Sequence, residues 1–201
     1  MTFNEFSSKW SSLHGGVEVK GIIKVWLRIS YWIAGFTKNA NLITFLGLIF
    51  GILTFIFAGE WRGIIYLVLA LVADGLDGTV AIRHNRDSKL GAVIDSVVDR
   101  IVEALWALAF IKIGAPILIV AIAWLAASIQ EYLRARLGGV GISEVMRVTV
   151  AERPVRASLL FVAMIGERIT ISMTTPIAYI WLVLQVYSLI NVARDGFVRL
   201  R

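Results

Sequence analysis

The run from Asn39 to Gly59 contains no charged residue, which meets the roughly 20 mainly apolar residues that a membrane crossing needs. The runs Ile113 to Gln130 and Ile169 to Ala193 are charge-free in the same way. Two further segments are apolar but interrupted: Trp61 to Ala81 contains Asp74 and Asp77, and Leu90 to Ile111 contains Asp95, Asp99, Arg100 and Glu103. A shorter run, Ala157 to Gly166, reaches crossing length if its basic start from Arg153 snorkels into the interface. From Val19 to Ile33 the pattern changes. Lys20, Lys24 and Arg28 recur every fourth residue while Ile22, Ile23, Trp26, Ile29 and Ile33 cover the rest of the surface, as in a helix lying in the headgroup plane. Met1 to Gly16 is polar, ends in Gly15 and Gly16, lacks the features of a signal peptide, and reads as a cytoplasmic lead-in. The pattern predicts an all-α integral membrane protein: a lead-in and interfacial amphipathic helix over 1–38, then six transmembrane helices over 39–201.

Composition agrees with that reading. At 201 residues, with 58% hydrophobic and 17% charged residues and a mean hydropathy of +0.79, the chain is unlike a water-soluble globule. The length suggests one domain, with no room for a separate catalytic domain beside a membrane anchor, so any chemistry lies among the spans. The absence of cysteine excludes disulfides, thiolate metal sites and a cysteine nucleophile. The net charge of +6 follows topology. With six spans, only Arg62, Lys112 and Arg168 of the 20 Lys and Arg residues fall in loops on one side. The crowded side is cytoplasmic and carries both termini, the loop around Arg83, Arg86 and Lys89, and the segment Arg134 to Arg156. The basic balance therefore indicates orientation and anionic substrates, and no nucleic-acid partner.

Asp74, Asp77, Asp95 and Asp99 are the most informative residues. Each ionised carboxylate in a span costs about 2.5 to 3.5 kcal/mol even on insertion scales, so four of them imply compensation. Spacings of three and four residues put each pair on one helix face, and a short loop makes the two helices antiparallel neighbours. Carboxylates drawn together repel unless cations sit between them. Oxygen-only ligation without His or Cys suits a hard cation such as Mg2+ or Mn2+, and four shared carboxylates can hold two, an arrangement that clamps a phosphate. Gly75, Gly78 and Gly91 around them either let helices approach or let a ligand reach backbone. The competing explanation is small-residue helix packing with the carboxylates paired to Arg83 and Arg100. A third reading, a divalent-cation transporter, expects acidic residues in further spans, which the sequence lacks.

The stretch Asp74-Gly-Leu-Asp77-Gly78-Thr-Val-Ala81 followed by Gly91-Ala-Val-Ile-Asp95-Ser-Val-Val-Asp99 resembles the signature of the CDP-alcohol phosphotransferases. Four Asp, two Gly and the Ala fall in register, and the plan of six spans behind an interfacial helix is similar to the family over nearly the whole chain. The signature Arg falls on Ile82, and the nearest arginine, Arg83, lies about 100° further round the helix. That departure raises the possibility of an inactive relative. The resemblance implies transfer of a phosphatidyl group from CDP-diacylglycerol to an alcohol, with release of CMP. It implies Asp74, Asp77, Asp95 and Asp99 as ligands of two divalent cations, with Asp99 also the general base. Gly78 and Ala81 would line the cytidine pocket, with Arg83 near the CDP moiety. Asn41 and Thr44 resemble a polar pair at the start of the family's first span.

Two cytoplasmic clusters, Glu131 to Arg136 and Glu152 to Arg156, look similar to segments of the phosphatidylinositol phosphate synthases, where basic residues hold the acceptor's phosphate. Arg134, Arg153 and Arg156 are the candidates, although basic residues at cytoplasmic helix ends also follow from charge bias alone. Inositol phosphate leads as acceptor. Phosphatidylglycerophosphate-type or cardiolipin-type synthesis are the alternatives. The resemblance further implies a homodimer in a bacterial cell membrane. His14 and His84 read as loop residues, Asp87 as solvated, and Trp10, Trp26, Trp32 and Trp61 as interfacial anchors. Glu103, one turn beyond Asp99, either pairs with Arg100 or steers an acceptor.

Overall fold

A computed structural model describes residues 1–13, 16–86, 88–142 and 148–200; His14, Gly15 and Asp87 lie outside the described residues. Eight α-helices are described: α1 (Phe3–Leu13), α2 (Gly21–Ile33), α3 (Ala40–Ile56), α4 (Trp61–Arg83), α5 (Lys89–Lys112), α6 (Ile117–Gly139), α7 (Arg153–Arg168) and α8 (Thr174–Arg199). The protein is all-α, as its pattern predicts. By length and composition, α4, α6 and α8 can cross a membrane, and α3 is apolar but shorter. α5 is long enough, yet its four charges from Asp95 to Glu103 make it less apolar.

The residues form two compact units, 1–50 with 69–101 and 51–68 with 102–201. In the first unit most of the lead-in is helical and forms α1. Thr2 and Glu5 form a reciprocal cap, with the Thr2 N–H on Glu5 Oε2 at 2.8 Å and the Glu5 N–H on Thr2 Oγ1 at 3.4 Å. The backbone and side-chain bonds from Thr2 hold the Glu5 carboxyl below its ordinary range. α1 packs on α2 through Phe6 and Leu27, both fully buried, which meet Ile82 of α4. Trp10 and Trp26 belong to this packing. Trp26 lies so close to Gly75 that a Cβ there would stand 2.8 Å from Cζ2, so this glycine serves helix approach. Trp32 and Trp61 are exposed.

In the second unit α8 packs along α6 and α7. Small residues on these helices, Ala123, Ala126, Ala127, Ala163 and Ala178, are buried, and small side chains along such a seam let helix backbones approach closely. Gln185 Nε2 donates to Gln130 Oε1 at 2.9 Å inside this seam, and both side chains are fully buried. Helix boundaries around α6 and α8 differ from expectation. α6 begins at Ile117 because Gly114, at φ +98°, and Pro116 as N-cap break the chain after α5. It then continues beyond Gln130 to Gly139. α8 begins at Thr174 because Thr170, at φ +61°, turns the chain after α7.

Candidate active site

α4 and α5 bring three of the four aspartates together: one carboxylate oxygen from each of Asp74, Asp95 and Asp99 lies within 4.8 Å of the others. All three side chains are half-buried. Carboxylates this close repel one another, and their oxygen-only donors would suit a hard divalent ion. Asp77 stands beside this group. It is buried, and its Oδ2 accepts the Thr44 hydroxyl at 2.7 Å while Oδ1 accepts the Gly78 N–H at 2.6 Å.

A cavity of about 220 Å3 adjoins the cluster and shares Asp95 with it. Asn41 and Thr44 of α3, Asp77, Gly78, Ala81 and Ile82 of α4, Arg86 and Ser88 of the connecting loop, and Gly91 and Ala92 of α5 complete its lining. Gly78 explains itself here: a Cβ built on it meets nothing within 4 Å, so its missing side chain leaves ligand space, whereas Gly75 makes room for Trp26. Ala81 lines the same cavity, but Arg83 does not. The Arg83 guanidinium donates to the Tyr31 carbonyl and stacks over the Tyr31 ring at 4.1 Å, so it is committed to the end of α2. Among the described residues it has no carboxylate partner, which removes half of the packing explanation for the aspartates. Arg86, read from sequence only as a topological charge, lines the cavity.

The acceptor candidates lie in the second unit. Arg134 binds Glu152 through two bonds, at 2.7 and 2.9 Å, and Glu131 at 3.3 Å. Arg156 is almost fully buried and pairs with Glu103 at 3.0 Å and Glu131 at 3.5 Å. Glu103 thus has Arg156 as a partner, a pairing the sequence did not suggest. Arg153 lies over the Trp106 ring at 5.3 Å. Thr149 ties the knot: its N–H and hydroxyl both donate to Glu152 Oε1 at 2.7 Å. Burial pushes the Glu152 carboxyl up, but the bonds from Arg134 and Thr149 outweigh it and bring it down to about 2. Beside the knot a cavity of about 480 Å3 is lined by Thr149, Tyr187, Asn191, Arg194 and Asp195. Its signal in the sequence is faint, a polar cluster from Asn191 to Asp195 closing an apolar run.

No curated protein matches the chain. Residues 37–193 match the family of CDP-alcohol phosphatidyltransferases, a stretch that contains α3 to α7, most of α8 and both cavities apart from individual lining residues near the C terminus. The chain therefore belongs to the CDP-alcohol phosphatidyltransferase family, membrane transferases that move a phosphatidyl group from a CDP-linked alcohol to an acceptor.

Proposed function

We propose that the protein transfers the phosphatidyl group of CDP-diacylglycerol to a phosphorylated alcohol, inositol phosphate first among the acceptors, in a reaction dependent on two divalent cations. The observation that carries this reading is the convergence of Asp74, Asp95 and Asp99 oxygens within 4.8 Å at the edge of a cavity. With Asp77 they form the carboxylate set for Mg2+ or Mn2+, which when bound neutralises the charge of the donor's diphosphate. Gly78 and Ala81 leave room for the cytidine end of the donor. Asp99 accepts the proton of the acceptor hydroxyl as its oxygen attacks the lipid-side phosphorus. The bond from that phosphorus to the CMP oxygen breaks, and CMP leaves with the electron pair. Thr44 fixes the Asp77 carboxylate through its hydrogen bond.

On the acceptor side, Arg134, Arg153 and Arg156 are guanidinium groups suited to a phosphate monoester. Arg134 and Arg156 are held in place by carboxylates before any ligand arrives, which lowers the ordering cost of binding. Glycerol phosphate and a lipid acceptor are the competing substrates. The asymmetry of Lys and Arg supports six crossings with both termini and the active site on the cytoplasmic side of a bacterial cell membrane, and the family resemblance supports a homodimer.

The decisive experiment uses purified full-length protein with CDP-diacylglycerol, Mg2+ and a panel of acceptors, scored for CMP. CMP release is expected with inositol phosphate, and is expected to vanish in Asp95→Asn and Asp99→Asn. Full activity in both variants would sink the assignment of these carboxylates. Release only with glycerol phosphate or a lipid acceptor would change the acceptor and leave the transfer class standing.

A further inference from the structure

We propose that Arg86 supplies the cationic contact to the phosphates of the donor nucleotide, in a loop that the N-terminal helix α1 holds in place. The inference rests on the transfer reading above for the identity of the ligand, and on the first unit alone for its geometry.

The cavity beside the aspartates contains two carboxylates, Asp77 and Asp95, and among its described lining residues Arg86 is the one cationic side chain. Neighbouring positions are unable to take that role, for reasons visible in the packing. Ile82 is only 5% exposed and meets Phe6 of α1 and Leu27 of α2, both at 0%. It is an apolar knob on which the N-terminal helices seat, and a guanidinium there would be set among their side chains. Arg83 is turned to the Tyr31 carbonyl and ring.

The chain reaches Arg86 through a helix-terminating turn. Asn85 adopts φ +50°, a left-handed conformation that Asn tolerates better than most side chains. The Arg86 N–H then donates back to the Ala81 carbonyl at 2.9 Å, and the Asn85 N–H to the Ile82 carbonyl at 3.2 Å. This pair of bonds is a Schellman closure. It folds the chain across the turn that carries Ala81 and Ile82, so Arg86 joins them around one cavity.

Two side chains fix this loop. Lys9 Nζ of α1 donates to Asn85 Oδ1 at 3.2 Å, and His84 Nε2 donates to the Ala34 carbonyl at the end of α2 at 2.8 Å. The same helix that occupies Ile82 thus steadies the segment presenting Arg86. The positive charge missing from position 82 is provided from the loop instead. A guanidinium is suited to this duty because its fork matches two phosphate oxygens at once.

The test measures CDP binding in Mg2+ to full-length protein in detergent, together with the KM for CDP-diacylglycerol and for the acceptor. Arg86→Ala is expected to weaken CDP binding and raise the donor KM by about 10-fold to 100-fold, the scale of a lost charge-assisted hydrogen bond, with the acceptor KM unchanged. Arg86→Lys should recover part of the loss. Asn85→Gly keeps the left-handed backbone but loses the Lys9 bond, and should give a smaller rise in donor KM. Arg86→Ala binding CDP as tightly as wild type overturns the inference, as does an equal rise in both KM values, which would mark a general structural role. Wild type that binds CDP but releases no CMP refutes the transfer reading, and the difference in CDP binding between wild type and Arg86→Ala then still decides the inference. Wild type that binds no CDP refutes both.

Discussion

Gly75 and Gly78 are one turn apart on α4, and the structure assigns them opposite duties, so the same substitution should move them in opposite directions. Neither has a positive φ, so alanine is compatible with both backbones. In a helix interior, alanine is favoured over glycine by about 1 kcal/mol. At Gly78 the new Cβ meets nothing within 4 Å, so that gain is unopposed. Gly78→Ala should raise stability by about 0.5 to 1 kcal/mol and Tm by about 1 to 4 °C. Its methyl group enters the cavity shared with Asp77, so the donor KM should rise by about tenfold. At Gly75 the Cβ would stand 2.8 Å from Trp26 Cζ2 and 3.4 Å from Cε2, atoms of a rigid indole. Overpacking of this kind costs about 1 to 3 kcal/mol, which leaves a net loss of up to about 2 kcal/mol after the helix gain. Thermal unfolding in detergent and CMP release, measured on the same preparations, give the two readouts. A Gly78→Ala protein that is less stable than wild type, or more stable and fully active, would refute this division between packing and ligand space.

Further expectations concern groups held by hydrogen bonds. Thr44→Val removes the 2.7 Å bond to the buried Asp77 carboxylate and should lower CMP release by about tenfold, with Thr44→Ser retaining most of it. Gln185→Leu leaves Gln130 Oε1 without its donor and should cost about 1 to 2 kcal/mol, whereas the Gln130→Leu, Gln185→Leu double variant should recover part of that in a mutant cycle. Glu152→Gln should destabilise the protein by about 1 to 3 kcal/mol at neutral pH. The folded Glu152 carboxyl titrates at about 2, below an unfolded value of about 4.3, so its stabilisation is complete above the unfolded value. The gap between wild type and Glu152→Gln should therefore shrink as pH falls from about 4 and close near 2; a gap that is constant across this range would contradict the assignment.

Features that depend on local pattern were legible in the chain. Charge-free runs located α3, α6 and α8, the recurrence of Lys20, Lys24 and Arg28 located α2, and the spacing of four aspartates located the metal-binding candidates. Helix α1 escaped because its composition is polar, although Thr2 and Glu5 carried a capping signal. The starts of α6 and α8 shifted because apolar residues such as Ile113 and Ile169 look alike inside a span and in the turn before it. Grouping within the site depended on tertiary partners that no spacing contains. Asp77 is set apart by a hydroxyl from α3, and Arg83 is drawn away by Tyr31 from α2. In one dimension the departure at position 82 had no explanation and left an inactive relative as one alternative. Contact with Phe6 and Leu27 gives it a packing reason, and one that required knowing α1 exists.

The arginines of the second unit illustrate how a positive sequence cluster can carry little positive field. Arg134 and Arg156 gather with Glu103, Glu131 and Glu152, so two guanidinium groups face three carboxylates, while Arg153 lies over the Trp106 ring. Glu152, at about 2, is ionised at neutral pH. A phosphate approaching this group meets no large net charge, and long-range attraction is weak. What the network offers instead is orientation: the bidentate grip of Glu152 on Arg134 and the buried contact of Glu103 with Arg156 fix guanidinium planes that would otherwise be disordered. Removing one carboxylate would leave a buried cation uncompensated, a change that costs more than the pair contributes. Under the proposed function, selection here would come from the match between fixed donors and the shape of the acceptor, with little contribution from total charge. Under the proposed function, the excess of basic residues would set how the chain lies across the membrane, while balanced pairs of opposite charge would orient the donors that meet the acceptor.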